Sequence, residues 1–248
     1  MKINNITINF WYKELLENPS NKVLDLESNL NSLLHNHFMY SEMPVGENID
    51  IPRVQCISED KKMFFTMSLV SSALRIDIDD MDNDDVVLLV NENMQLIYDV
   101  LKELYNIEIV YSSIKLEAKS SNSKLKDKMI KKFSLDKEVY EDLSIKRVYR
   151  KEDTYYECIV LSTSKEINYD ISVPVPVQEP KENDLFSRSM IISTSEAKVG
   201  KEFITVNYEI NDRLAFNLDK EYLSTKESIR GLIIEFKDFV NKRLDKLL

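Results

Sequence analysis

Glycine is nearly missing: Gly46, Gly200 and Gly231 are all that the 248 residues contain. Histidine and cysteine are as scarce, with two of each. Glycine lets a backbone close on a phosphate or take a positive φ without steric cost. Without it, neither a G-x-G-x-x-G dinucleotide loop nor a G-x-x-x-x-G-K-[ST] phosphate loop can be written anywhere in the chain. Cys56 and Cys158 stand alone with no C-x-x-C, which suits two small buried hydrophobes in a reducing compartment better than a disulfide or a zinc site. Long apolar runs are missing too. The longest is Val86 to Val90, and the opening Met1-Lys2-Ile3-Asn4-Asn5 lacks the apolar core of a signal peptide, so a cytoplasmic protein without membrane association is expected. Basic charge is in deficit: 33 Lys and Arg against 43 Asp and Glu leave a net charge of −10. Free nucleic acid is held mainly by cations that neutralise phosphates, so only a local basic patch would make it a partner.

What is present is enough to build a core, since 43% of the residues are apolar. Ile6, Ile8 and Phe10 alternate with polar residues and predict an opening strand. A helix follows over about 22–37, with Leu26, Leu30, Leu33 and Leu34 on one face. Strands are expected at 51–57, 63–70 and 74–78, and then a helix capped by Asp84 and Asp85 whose stripe runs Val87, Val90, Met94, Ile97, Leu101 and Leu104. The second half opens with a strand over 107–119 and a basic helix reaching Phe133. Strands at 143–150 and 155–163 come next, and a proline-bearing edge segment at 173–180. Strands at 186–193 and 202–210 are expected to form a hairpin across Glu196 to Gly200. A terminal helix opens with a capping box at Ser224-Thr225-Lys226-Glu227.

Strand, helix, strands, helix thus occurs twice, in units 1–105 and 106–248. The expected fold class is α+β, two pseudo-repeated antiparallel sheets each backed by helices. This layout is similar to the repeat of the TATA-binding-protein-like fold, in which two copies make one curved sheet. Ile51-Pro52-Arg53-Val54-Gln55 before an acidic turn, and Val206-Asn207-Tyr208-Glu209-Ile210 before a long helix, resemble the two domains of a sporadically distributed family of uncharacterised bacterial proteins. That resemblance implies no particular activity. Together with a composition rich in Lys, Asn, Ile and Asp, as in AT-rich bacteria and their phages, it suggests a component of anti-phage defence or phage counter-defence.

Four constellations carry candidate chemistry. Asp77 to Asp85 holds six carboxylates. As a calcium loop starting at Asp80 it has Asp85 where glycine is needed and Asn91 where a bidentate Glu is needed. Asp77 and Asp79 alternate on a strand, so they share a face and could hold Mg²⁺, while the competing role for the run is to start the following helix through its dipole. Glu117-Ala118-Lys119 has the E-x-K spacing of metal-dependent nucleases, though Glu196-Ala197-Lys198 repeats it in an expected turn. His35 and His37 lie two apart, about 200° around a helix, too far to chelate one ion. Lys124, Lys126, Lys128, Lys131 and Lys132 cluster after Lys119 against the single Asp127, a docking surface or a solvated helix face. Tyr149, Tyr155 and Tyr156 read as sheet residues rather than a base-stacking platform.

The leading expectation is a non-catalytic binding or assembly protein without a cofactor. Its ligand is a protein partner or a second copy of itself, held by a sheet face, the basic helix or the Pro174–Pro180 loop. One alternative is a metal-dependent nuclease or nucleotidyl-type enzyme using Asp77, Asp79, Glu117 and Lys119. The other is an acidic inhibitor that mimics nucleic acid in a partner's binding site.

Overall fold

A computed structural model describes residues 1–17, 19–34, 38–42, 48–121, 127–128, 131, 144–169 and 197–247. The strands are β1 (Lys2–Tyr12), β2 (Phe38–Glu42), β3 (Val54–Ser58), β4 (Met63–Met67), β5 (Ser71–Asp77), β6 (Ile109–Ser120), β7 (Ser144–Lys151), β8 (Tyr155–Tyr169) and β9 (Ala197–Asn211). They form one antiparallel sheet of nine strands in the order β2-β3-β4-β5-β1-β6-β9-β8-β7. The expectation of α+β holds, but the two expected sheets are joined into one, because β1 pairs with β6 along almost its whole length. Period-two side chains give this sheet one dry face: register sets Ile76, Ile6, Leu116, Tyr208 and Ile159 in a single row, all buried.

That face is covered by α1 (Val23–Leu34), α2 (Asn83–Tyr105) and α4 (Lys226–Asp238), while the short α3 (Arg213–Leu218) sits at the sheet's end beside β6 and β8. Leu26 and Leu30 of α1, Val90, Met94, Ile97 and Leu101 of α2, and Ile229, Leu232 and Phe236 of α4 meet in one core. The stripe read from the 3.6-residue period for α2, and Leu26 and Leu30 of the α1 stripe, are therefore on the buried faces. Among the described residues, no helix is long and apolar enough to cross a membrane.

Several local expectations shift. The cap of α2 is Asp82, whose side chain accepts from Asp85 N at 2.9 Å, with Asp84 and Asp85 inside the first turn. The capping box of α4 moves one residue, to Thr225 and Ser228, because Ser224 turns inward to other partners. After Asp238 the chain continues as a π turn (Phe239–Arg243) and a 3-10 turn (Leu244–Lys246) rather than one helix. Ala197 to Gly200 belong to β9, so the expected turn there is strand. Neither β2 nor α3 is anticipated by the apolar pattern. The expected strand at 186–193, the Pro174–Pro180 loop, His35 and His37 lie outside the described residues.

In so glycine-poor a chain, left-handed positions fall to other residues. Asn106 ends α2 at φ 53°, and Glu152 and Asp153, both at φ 52°, turn β7 into β8 with Thr154 N donating to Lys151 O at 3.1 Å.

Gly231 has a packing reason instead. It lies within α4, and a Cβ there would come within 1.9 Å of the Tyr155 hydroxyl, which itself donates to Ser228 O at 3.3 Å. Helix propensity alone predicts that Gly231→Ala stabilises by about 1 kcal/mol. The contact reverses the sign: expelling the Tyr155 ring from its half-buried seat is expected to leave a net loss of about 1 kcal/mol or more in urea denaturation. A stabilised variant would show that the ring is not seated on this glycine.

Candidate functional site

The sheet's second face carries no packed helix among the described residues, apart from α3 reaching its end, where Phe216 lies 6.1 Å from Tyr111. Its rows are polar. One runs Asp77, Asn5, Glu117, Asn207, Val160, Lys146; the next runs Arg75, Thr7, Lys115, Glu209, Cys158, Val148. A shallow cavity of about 220 Å³ lies over these rows, between Asn5, Lys115, Glu117 and Glu209. Trp11 and Tyr111 stack at 4.4 Å near the α3 end, with the Arg213 guanidinium 5.4 Å from the Tyr111 ring centre.

Of the candidate catalytic residues, Asp77, Glu117 and Lys119 fall here, and each carboxylate has a cation of its own. Asp77 accepts from Arg75 Nε at 2.9 Å, and Glu117 is 2.9 Å from Lys119 Nζ. Asp77 and Glu117 flank Asn5 from opposite strands, so they stand two strand spacings apart, about 10 Å. Asp79 lies past the end of β5 and pairs with Lys62 at 3.0 Å, so it does not share a strand face with Asp77. Burial pushes the Glu117 carboxyl up, but Lys119, with help from Asn4 and Arg75, holds it below the ordinary glutamate value. Among the described residues, no three His, Cys, Asp or Glu side chains gather as a metal site. The rest of the acidic run is spent on structure: Asp80 accepts from Lys2 at 2.7 Å, Asp82 caps α2, and Asp84 accepts from Asn241 at 2.9 Å.

The two thiols are poor nucleophiles. Burial pushes Cys56 up to about 12, and burial also raises Cys158, which the neighbouring Lys146 only partly offsets. Of the basic cluster, Lys128 and Lys131 are exposed; Lys124, Lys126 and Lys132 lie outside the described residues. Lys119 lies in β6, as expected. The Ile51 to Gln55 motif places Arg53 inside, 4% exposed and donating to Asn48 O at 3.1 Å.

No family model matches the chain, and no curated protein matches it.

A different place concentrates cations. β7 reads Ser-Ile-Lys-Arg-Val-Tyr-Arg-Lys, four cations and no carboxylate, in a chain whose net charge is −10. Among the described residues it ends the sheet and pairs with β8 alone, in unbroken register from Ser144↔Ser162 to Lys151↔Tyr155. Lys151 turns inward to Glu157, at 3.7 Å, and to Glu235. Lys146, Arg147 and Arg150 are exposed, as are Val148 at 55% and Tyr149 at 40%. Alternation sends Lys146, Val148 and Arg150 to the open face and Ile145, Arg147 and Tyr149 to the helix side.

On the helix side a cavity of about 250 Å³ borders the strand. Ile145, Ile159, Leu161 and Leu247 give it an apolar floor, and Arg147, Lys242 and Lys246 a basic rim. Lys242 is also 3.0 Å from Asp238. The cations of β7 are visible in the sequence, within a segment read as a strand. Its position at the sheet margin is not, because strand order depends on pairings between residues tens of positions apart.

Proposed function

We propose that this is a non-catalytic binding protein that takes a protein partner along the β7 margin of its sheet. The observation that carries the reading is the β7 edge itself: eight residues long, unbulged, exposed and cationic, beside a cavity with an apolar floor. Natural edge strands are usually short, bulged, covered or guarded by charge, because an open ladder invites another chain; β7 is guarded by cations alone, which repel a like strand and admit an acidic one. Charge favours an acidic partner over a second copy paired β7 to β7, since like charges directly opposite are destabilising. The open face supports binding less well, because its central rows are amides, hydroxyls and paired ions without the apolar centre that protein interfaces need.

The halves 1–105 and 106–248 are read as two copies of one plan. In each, the last strand of a meander returns to the first strand of that half, β5 to β1 and β9 to β6, and a helix follows. We read this order as similar to the TATA-binding-protein-like repeat. A setting in anti-phage defence or counter-defence rests on composition and on the sporadic family resemblance.

The test compares recovery of copurifying protein by tagged wild type, by K146E/R150E and by D77A/D79A/E117A in the native cell. Loss of the partner with the β7 variant, and its retention with the carboxylate variant, is expected. The reverse pattern would return the open-face carboxylates to the centre and end the β7 reading.

A further inference from the structure

We infer that the partner segment binds as a tenth strand: an extended, acidic stretch of another protein that hydrogen-bonds to the outer edge of β7 and drops alternate apolar side chains toward the neighbouring cavity. This rests on the β7 reading above and specifies how it works. An edge strand presents every second residue's N–H and C=O outward, so a chain laid alongside gains main-chain hydrogen bonds regardless of its side chains. Side chains then decide which chain is accepted. The added strand alternates as β7 does, so one set of its residues faces Lys146, Val148 and Arg150 and the other faces Ile145, Arg147 and Tyr149.

Acidic residues on the first set lie opposite Lys146 and Arg150. On the second set, an apolar residue reaches toward the floor made by Ile145, Ile159 and Leu161, and a carboxylate reaches the rim at Arg147 and Lys246. The favoured sequence is therefore acidic with a β-branched or aromatic residue at alternate positions. Two other occupants fit less well. The acidic run of a second copy lies in the end of β5, a connecting loop and the first turn of α2, so it does not offer a free strand. A nucleic acid strand satisfies the cations but has no N–H and C=O ladder to match an edge.

The probe is a fluorescent ten-residue peptide alternating Glu with Val, Ile or Tyr, titrated by anisotropy into the full chain. Three controls accompany it: the same peptide N-methylated at alternate residues, its Lys-for-Glu counterpart, and a single-stranded oligonucleotide of equal charge. Saturable binding of the acidic peptide is expected, weakened at least tenfold by N-methylation, by Lys for Glu, and by K146E/R150E in the protein. Unchanged far-UV dichroism and melting of K146E/R150E show that the loss is local.

Equal binding of the N-methylated peptide would overturn strand addition while leaving a charge-based β7 site standing. No binding of the acidic peptide, with K146E/R150E still losing its cellular partner, also overturns strand addition and spares the wider reading. Oligonucleotide binding in place of peptide binding overturns both. So does K146E/R150E behaving as wild type in both peptide binding and partner recovery.

Discussion

Asp212→Ala is expected to cost about 3 kcal/mol or more of folding stability, read by urea denaturation at neutral pH, because three donors lose one buried acceptor. Asp212 is fully buried, and its carboxylate accepts from Ser112 N at 2.6 Å, from the Ser224 hydroxyl at 2.7 Å and from the Tyr222 hydroxyl at 3.0 Å. These bonds tie β6, the start of α3 and the chain entering α4 to one side chain. Ser224 reaches on to Ser112 Oγ at 2.9 Å, and its carbonyl accepts from Tyr98 of α2 at 3.3 Å. Alanine leaves the Ser112 amide buried without that acceptor and frees two hydroxyls to compete elsewhere. Asp212→Asn is expected to lose clearly less, since its amide oxygen still accepts from Ser112 N.

Burial raises the Asp212 carboxyl above the ordinary aspartate value, against the pull of the Ser112, Ser224 and Tyr222 donors. A raised value in the folded state means that the folded chain holds this proton more tightly than the unfolded chain does. The stability it contributes is therefore fully present below the ordinary value and is lost as pH rises through the raised one. The asparagine variant does not titrate at this position, so its stability should lack that fall as pH rises above the ordinary aspartate value. Wild-type and asparagine curves that stay parallel there would mean that Asp212 is not the titrating group.

Much of the fold is legible from local pattern. Ile6, Ile8 and Phe10 announce β1, and the stripe from Val87 to Leu104 announces α2, because burying one face imposes periods of 2 and 3.6 directly on sequence. The caps are legible only to within a residue or two. Thr225 and Ser224 are both competent caps, and a tertiary partner, Asp212, decides between them. Joining of the two halves through β1 and β6 is not legible, since Asn5 opposite Glu117 is a pairing across more than a hundred residues. The same limit applies to the site. Asp77, Asp79 and Glu117 attract attention as acids, yet each is matched to Arg75, Lys62 or Lys119 once the chain folds. Lys146 and Arg150 look like ordinary strand residues until β7 takes the end of the sheet.

Arg243→Ala carries the second large effect, about 2–4 kcal/mol, because it strands a buried carboxylate. Glu157 of β8 is 1% exposed and faces the helices, where Arg243 meets both of its oxygens, at 2.5 and 2.9 Å. Lys151 is the other cation near it, at 3.7 Å, and Lys151 is shared with Glu235. Arg243 keeps about a third of its surface in water, at 31%, which places the loss below that of a fully enclosed pair. The guanidinium also lies 5.5 Å from the Phe239 ring centre, and that ring stacks on Tyr208 at 3.7 Å, so some packing goes with the charge. Replacing both partners tells desolvation from attraction. E157M/R243M removes the charges together and fills similar volume, and it is expected to recover most of the loss, as buried pairs exchanged for apolar residues commonly do. In a double-mutant cycle with R243M and E157M the coupling should exceed about 1 kcal/mol. Additive losses would mean that Lys151 already neutralises Glu157 and that Arg243 contributes only its packing on Phe239.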